Sequence, residues 1–283
     1  DLDNNELLKF KKENNKKLII GTACGRSGLR WISKIHSSHK NCVSLIEPFP
    51  IHESFFRYCT YNKLKIDHQA FYRVLKYQFI KCWEKFDTII FSSPWLCFGL
   101  NELNHYLSPD IYVFLFRDPK KVVNSLVSKG WYKNKIIKLD NKLIPGLQPN
   151  QKHFHHNFSR ICPNTEYFDK WNNLTPVGKS SWFWSEANKA IYNFIQHLDE
   201  EKKLIFKLED IDQNYSWYIN YVNYFKIKDQ LSLKSFLNLK KKMSNRIKNN
   251  ISLNNWNSKE ISEFDYNTYE TSLLLKNFQS DLM

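Results

Sequence analysis

Glycine is scarce in this chain, seven among 283 residues. An all-β protein rich in tight turns, or a repeat array with glycine at a fixed period, does not fit that count. No run approaches the ~18 apolar residues of a membrane span. Nor does a basic segment precede an apolar stretch of about 7–15 residues, as in a secretory leader, so the expected location is cytoplasmic. The six cysteines (Cys24, Cys42, Cys59, Cys82, Cys97, Cys162) include no CxxC pair. Several lie in apolar, strand-like runs of a domain too long to need staples, which predicts buried, reduced thiols. Arginine is rare as well, with only Arg26, Arg30, Arg57, Arg73, Arg117, Arg160 and Arg246. Lys+Arg outnumber Asp+Glu by 42 to 28, a formal charge of +14 carried almost wholly by lysine. Lys, Asn, Ile, Tyr and Phe are over-used together, a bias that AT-rich coding produces by itself. Diffuse lysine describes a soluble, anion-tolerant surface rather than a nucleic-acid binder, and no nucleic-acid partner is expected.

What is present points to a large core. Nine Trp, 15 Tyr and 21 Phe are incompatible with a disordered chain. A chain of this length buries about 75% of its unfolded surface. Neither an internal repeat nor a clean linker interrupts it, so residues 1–283 read as a single domain.

Residues 1–16 are polar and read as a leading helix or a loose arm. Strand-length apolar runs follow at 17–22, 43–46, 87–91, 111–116 and 204–208. They lack alternation, the pattern of strands covered on both faces of a parallel sheet. Helical periodicity lies between them: after Gly28, over 69–86, from about 95 to 106, after Pro119, and from Trp184 to Leu198. The expectation is an α/β fold, a P-loop-like parallel sheet of about five strands flanked by helices with right-handed crossovers. Its core is expected over about 17–130 and 180–230. Residues 131–180 hold four prolines with many Asn and His. They read as a loop-rich insertion after the fourth strand, a lid or acceptor-binding region.

Ligands of such sheets bind beyond the carboxyl ends of the strands. There stand Gly25-Arg26-Ser27-Gly28, Glu47, Ser92-Ser93-Pro94, Arg117 and Glu209-Asp210. The first turn has glycines that let backbone amides close around an anion, a helix dipole, and a guanidinium fork suited to phosphate or sulfate. It is not a Walker motif, because three residues rather than four separate Gly21 from Gly25 and an Arg follows. Arg117-Asp118-Pro119 starts a helix that carries Ser125, so an Arg and a hydroxyl could converge on a second anion.

Taken together, these elements resemble the sulfotransferases that use 3′-phosphoadenosine 5′-phosphosulfate (PAPS). Arg26-Ser27-Gly28 followed by Trp31 is similar to the family's 5′-phosphosulfate loop. Arg117-Asp118-Pro119 with Ser125 is similar to its 3′-phosphate site. Ile90-Phe91-Ser92-Ser93-Pro94 and Lys207-Leu208-Glu209-Asp210-Ile211 extend the likeness, and Glu47-Pro48 looks like the pair after strand two of carbohydrate-type members. The likeness runs over about residues 17–130 and again over 204–211.

The resemblance implies donor binding by Gly25, Arg26, Ser27, Gly28, Leu29, Arg30, Arg117 and Ser125, with PAPS consumed and adenosine 3′,5′-bisphosphate (PAP) released. The acceptor would be a hydroxyl on a glycan or glycosylated metabolite. Leu29 and Arg30 stand where the cytosolic small-molecule branch has threonines, and the lysine often found before the third-strand proline is replaced by Ser92 and Ser93.

Arg26 would balance charge on the leaving phosphate, and Glu47 is the candidate general base, expected beside the Gly25–Gly28 turn. His52, five residues farther into the loop, and Glu53 are its rivals. No metal is expected: His153, His155 and His156 have no carboxylate or Cys at a recognisable zinc spacing. Trp182 and Trp184 read as core and cleft wall, and Glu209-Asp210 as a brace at the end of strand five. The alternative function is a P-loop nucleotide kinase, against which stand the missing Lys-Ser/Thr pair and magnesium carboxylate.

Overall fold

The computed structural model describes residues 4–65, 67–136, 160–211, 214–244 and 255–278. Five strands, β1 (Lys17–Thr22), β2 (Cys42–Ile46), β3 (Thr88–Ser92), β4 (Ile111–Phe116) and β5 (Lys203–Lys207), form one sheet in the order β2-β3-β1-β4-β5. Every pairing is parallel. The apolar runs do not alternate because both faces are covered. Leu18, Ile20, Phe91 and Phe114 enter one core, while Ile19, Ile90, Val113 and Phe206 enter the other.

The helices are α1 (Asn4–Glu13), α2 (Leu29–His36), α3 (Pro50–Tyr61), α4 (Gln69–Trp83), α5 (Leu100–Leu107), α6 (Pro119–Val127), α7 (Tyr167–Asn172), α8 (Pro176–Ile195), α9 (Leu208–Ile211), α10 (Tyr215–Tyr224), α11 (Leu233–Ser244) and α12 (Ser258–Lys276). The leading segment is a docked helix, not a loose arm. Lys11 is buried and reaches Asp110 at 2.8 Å and the Ser108 carbonyl at 2.8 Å. All six cysteines are free thiols, and Cys24, Cys42, Cys59 and Cys97 are buried.

Three boundaries differ from the sequence expectation. The helix expected over 95–106 is a 3-10 turn at Pro94–Leu96 followed by α5. Gly99 separates them, and a Cβ there would lie 2.1 Å from the Phe56 ring. Helix α3 occupies what read as loop, with Pro50 in its first turn, where a missing N–H costs nothing. Helix α8 starts at Pro176, eight residues before its periodicity is legible. It is buried nearly all round, so no polar face marks it, and Thr175 caps it by accepting from the Gly178 amide at 3.1 Å.

Two buried histidines fasten α2 to the layer behind it. His36 Nδ1 lies 3.2 Å from the Tyr221 hydroxyl, and His39 Nδ1 lies 2.6 Å from the Asp229 carbonyl while its ring stacks on Tyr218. Burial pushes the His36 pKa down to about 3, with His39 adding to it. An unfolded His titrates near 6.5, so below that value the unfolded chain binds a proton that the native chain refuses. Stability is therefore fully present above about pH 6.5 and is lost as pH falls toward 3. His36→Phe should recover about 2 kcal/mol of the loss between pH 7.5 and pH 5. Urea denaturation at the two pH values measures it, and an unchanged acid limb would refute the assignment.

Candidate active site at the strand ends

The chain leaves β1 toward β2 and β3 on one side, then crosses to β4 on the other. The crevice at that reversal is where ligands of open α/β sheets bind. It is flanked by the turn after β1 and the turn after β4, which carry the two motifs singled out from the sequence.

Three residues of the β1 turn have left-handed backbones: Gly25 (φ 95), Arg26 (φ 58) and Gly28 (φ 101). Such turns aim successive N–H groups at one point, and a non-glycine residue held there is strained. Gly28 is the N-cap of α2 and makes no side-chain cap bond, so the first amides of the helix are left for an anion. Glycine is also required sterically, since a Cβ at Gly28 would lie 2.8 Å from Leu208.

Ser27 is buried, and its hydroxyl donates to the Gly25 carbonyl at 3.2 Å, 3.2 Å from Cys24 Sγ, so it stiffens the turn. The Leu29 side chain belongs to the core, leaving only its amide at the helix start. Trp31 packs on Phe236, with ring centroids 5.6 Å apart.

Arg26, Arg117 and Ser125 converge. Arg26 Nε donates to Ser125 Oγ at 2.9 Å, and Arg117 Nη1 donates to the Arg26 carbonyl at 3.2 Å. The two motifs thus form one bonded unit, joining what the sequence suggested as separate anion sites. Partial burial lowers the Arg26 pKa, the charges of Arg30 and Arg117 lower it further, and Glu47 opposes them. A guanidinium so crowded stays protonated, and the mutual repulsion favours an added anion.

Glu209, on α9, braces the cluster. Its carboxylate lies 3.6 Å from Arg117 Nε and 3.3 Å from Lys121 Nζ, and it accepts from the Asp118 amide at 3.2 Å. Its bracing therefore reaches beyond strand five to Arg117 itself.

Glu47 corrects one expectation. Strand β3 lies between β1 and β2, so Glu47 does not sit directly beside the Gly25–Gly28 turn; its amide donates to Ser92 on β3 at 3.0 Å. Its backbone is left-handed (φ 47) and its side chain half-buried. Its charge nonetheless acts on Arg26 across β3. His52 lies in the first turn of α3, not in a loop, exposed and edge-on to Phe49. Glu53 is fully buried.

Sequence reasoning passed over Arg57, whose buried guanidinium donates to the Pro94 carbonyl and, at 3.2 Å, to the Trp95 carbonyl. It thereby ties α3 beneath the end of β3. Nothing in the sequence relates residues 57 and 94–95. Trp182 and Trp184 are both core. No group of three or more His, Cys, Asp or Glu suits a metal among the described residues, and the three histidines at 153–156 lie outside them. No helix among the described residues is long and apolar enough to cross a membrane.

No protein-family model matches this chain, and no curated protein matches it in sequence. A search of solved structures finds a sulfotransferase domain from the curacin biosynthetic pathway. It matches at a TM-score of 0.50 and 14% identity, over 94% of this chain and 92% of that one. At that identity the likeness establishes the fold, an α/β parallel sheet shared with a sulfotransferase domain across nearly the full length of both chains.

Proposed function

We propose that this protein is a PAPS-dependent sulfotransferase. The observation that carries the reading is the bonded convergence of Arg26, Arg117 and Ser125 on the crevice, beside an α2 start that no side chain caps. A donor with phosphates at both ends of one ribose asks for such a pair of anion sites on adjacent strands. In this reading the Gly25–Arg30 turn receives the 5′-phosphosulfate, with Arg26 and Arg30 on its charge and the amides of Ser27, Gly28 and Leu29 at the helix start. Arg117 and Ser125 receive the 3′-phosphate.

The transfer breaks the sulfur–oxygen bond to the leaving phosphate and forms one to an acceptor hydroxyl. The hydroxyl proton passes to Glu47, and PAP leaves. Arg26 stabilises the charge that develops on the leaving phosphate. The acceptor is a hydroxyl of a glycan or glycosylated metabolite, in keeping with the Glu47-Pro48 pair. Of the acceptor-binding insertion expected over 131–180 in the single domain, 137–159 lie outside the described residues.

The test is ligand-dependent stability. A ligand at 100 times its Kd adds about 2.7 kcal/mol, roughly 5–10 °C in Tm for a chain of this size. PAP should give that shift, ATP with magnesium a much smaller one, and an oligonucleotide none. A larger shift with ATP and magnesium would move the reading to a nucleotide kinase.

A further inference from the structure

Glu53 is the fully buried carboxyl nearest in sequence to the candidate base, and the transfer step does not use it. It lies in the first turn of α3 with no exposed surface. Its Oε1 accepts from the Phe49 amide at 2.8 Å, while its own amide donates to the Phe49 carbonyl at 2.9 Å. Phe49 is the N-cap of α3 and stands two residues after Glu47, whose backbone is held left-handed. A first-turn carboxyl that accepts from the N-cap amide satisfies a donor that the helix leaves unpaired and ties the entering chain to the helix.

Oε2 is sealed from solvent without a well-formed hydrogen bond. The groups that act on the carboxyl are Ser93 from the end of β3, Glu47 from the preceding turn and Arg57 one turn farther along α3. Ser93 also accepts from the Trp95 amide at 3.2 Å. Glu53 therefore sits where the β2–α3 turn meets the end of β3.

We propose that Glu53 is the positioning residue of the site, its buried carboxyl locking the Glu47-Pro48-Phe49 turn so that the Glu47 carboxylate faces the crevice. The proposal rests on the sulfotransferase reading for its catalytic meaning. A residue buried this deeply does not reach an acceptor, so it serves through Glu47. Burial raises its pKa to about 7, against the opposing effect of Ser93 and Phe49 and with help from the charge of Glu47. The carboxyl is thus mostly neutral below neutral pH, and either form accepts from the Phe49 amide.

The experiment compares the full-length protein with Glu53→Gln, which keeps the acceptor oxygen, and Glu53→Ala, which removes it. Hydrogen exchange at the Phe49 amide should be as slow in Glu53→Gln as in wild type and at least tenfold faster in Glu53→Ala. The affinity for PAP, measured by calorimetry, should stay within about twofold in both. Release of PAP from PAPS with water as acceptor should fall about 10–100-fold in Glu53→Ala and stay within about threefold in Glu53→Gln, as expected for a misplaced catalytic group.

Should Glu53→Ala not fold, Glu53→Asp, one methylene short of the Phe49 amide, replaces it. With PAP bound normally by wild type, unchanged Phe49 exchange or unchanged PAP release in Glu53→Ala overturns the positioning role alone. A wild-type protein that does not bind PAP overturns the sulfotransferase reading and the catalytic meaning of the lock with it.

Discussion

Glu47→Gln should abolish most sulfuryl transfer, lowering turnover by about 10²–10⁴-fold, the usual worth of a general base, while leaving PAP affinity unchanged. The substitution preserves shape and removes basicity at a side chain whose carboxylate makes no hydrogen bond or ion pair among the described residues. Two features suit it to the task. Its left-handed backbone is a strained conformation of the kind that persists where function demands it, and its charge reaches Arg26 without pairing with it. Transfer from PAPS to a panel of hydroxyl acceptors would measure the effect. Near-wild-type turnover in Glu47→Gln together with a dead His52→Ala would pass the role to His52, which is exposed on the first turn of α3.

Arg117→Ala should weaken PAP binding by about 2–5 kcal/mol, the typical cost of truncating one partner of a desolvated charge pair. The consequence extends beyond one phosphate. Arg117 also donates to the Arg26 carbonyl, so its loss releases the strained turn that holds Arg26. The effect should therefore exceed that of Ser125→Ala, which removes one hydroxyl. Calorimetry with PAP separates them, and an affinity equal to wild type in Arg117→Ala would end the 3′-phosphate assignment.

The α/β class, the five strands and the crevice residues were legible because each rests on local chemistry. Unalternating apolar runs report burial on both faces. The cluster Gly25-Arg26-Ser27-Gly28 can only be a turn, and Arg117-Asp118-Pro119 ends a strand and starts a helix within three residues. Helix α3 and the first two turns of α8 were not legible for the converse reason. Both begin at prolines that read as breakers, and both bury polar residues, Glu53 and Arg57 in one and Lys179 and Asn188 in the other, which erases the amphipathic signal.

Which chemical groups stand at the ends of the strands follows from local order along the chain, because strand, turn and glycine are short-range properties. How those groups meet follows from packing. Strand order is settled by which apolar faces pack best once the chain has collapsed, and it put β3 between Glu47 and the Arg26 turn. The same packing brought Arg26 onto Ser125, 99 positions away, and Glu209 onto Arg117. It also sealed Glu53 beneath the turn that carries Glu47. Burial, the largest effect on the pKa of Glu53, and the approach of Arg117 to Arg26 both depend on that packing.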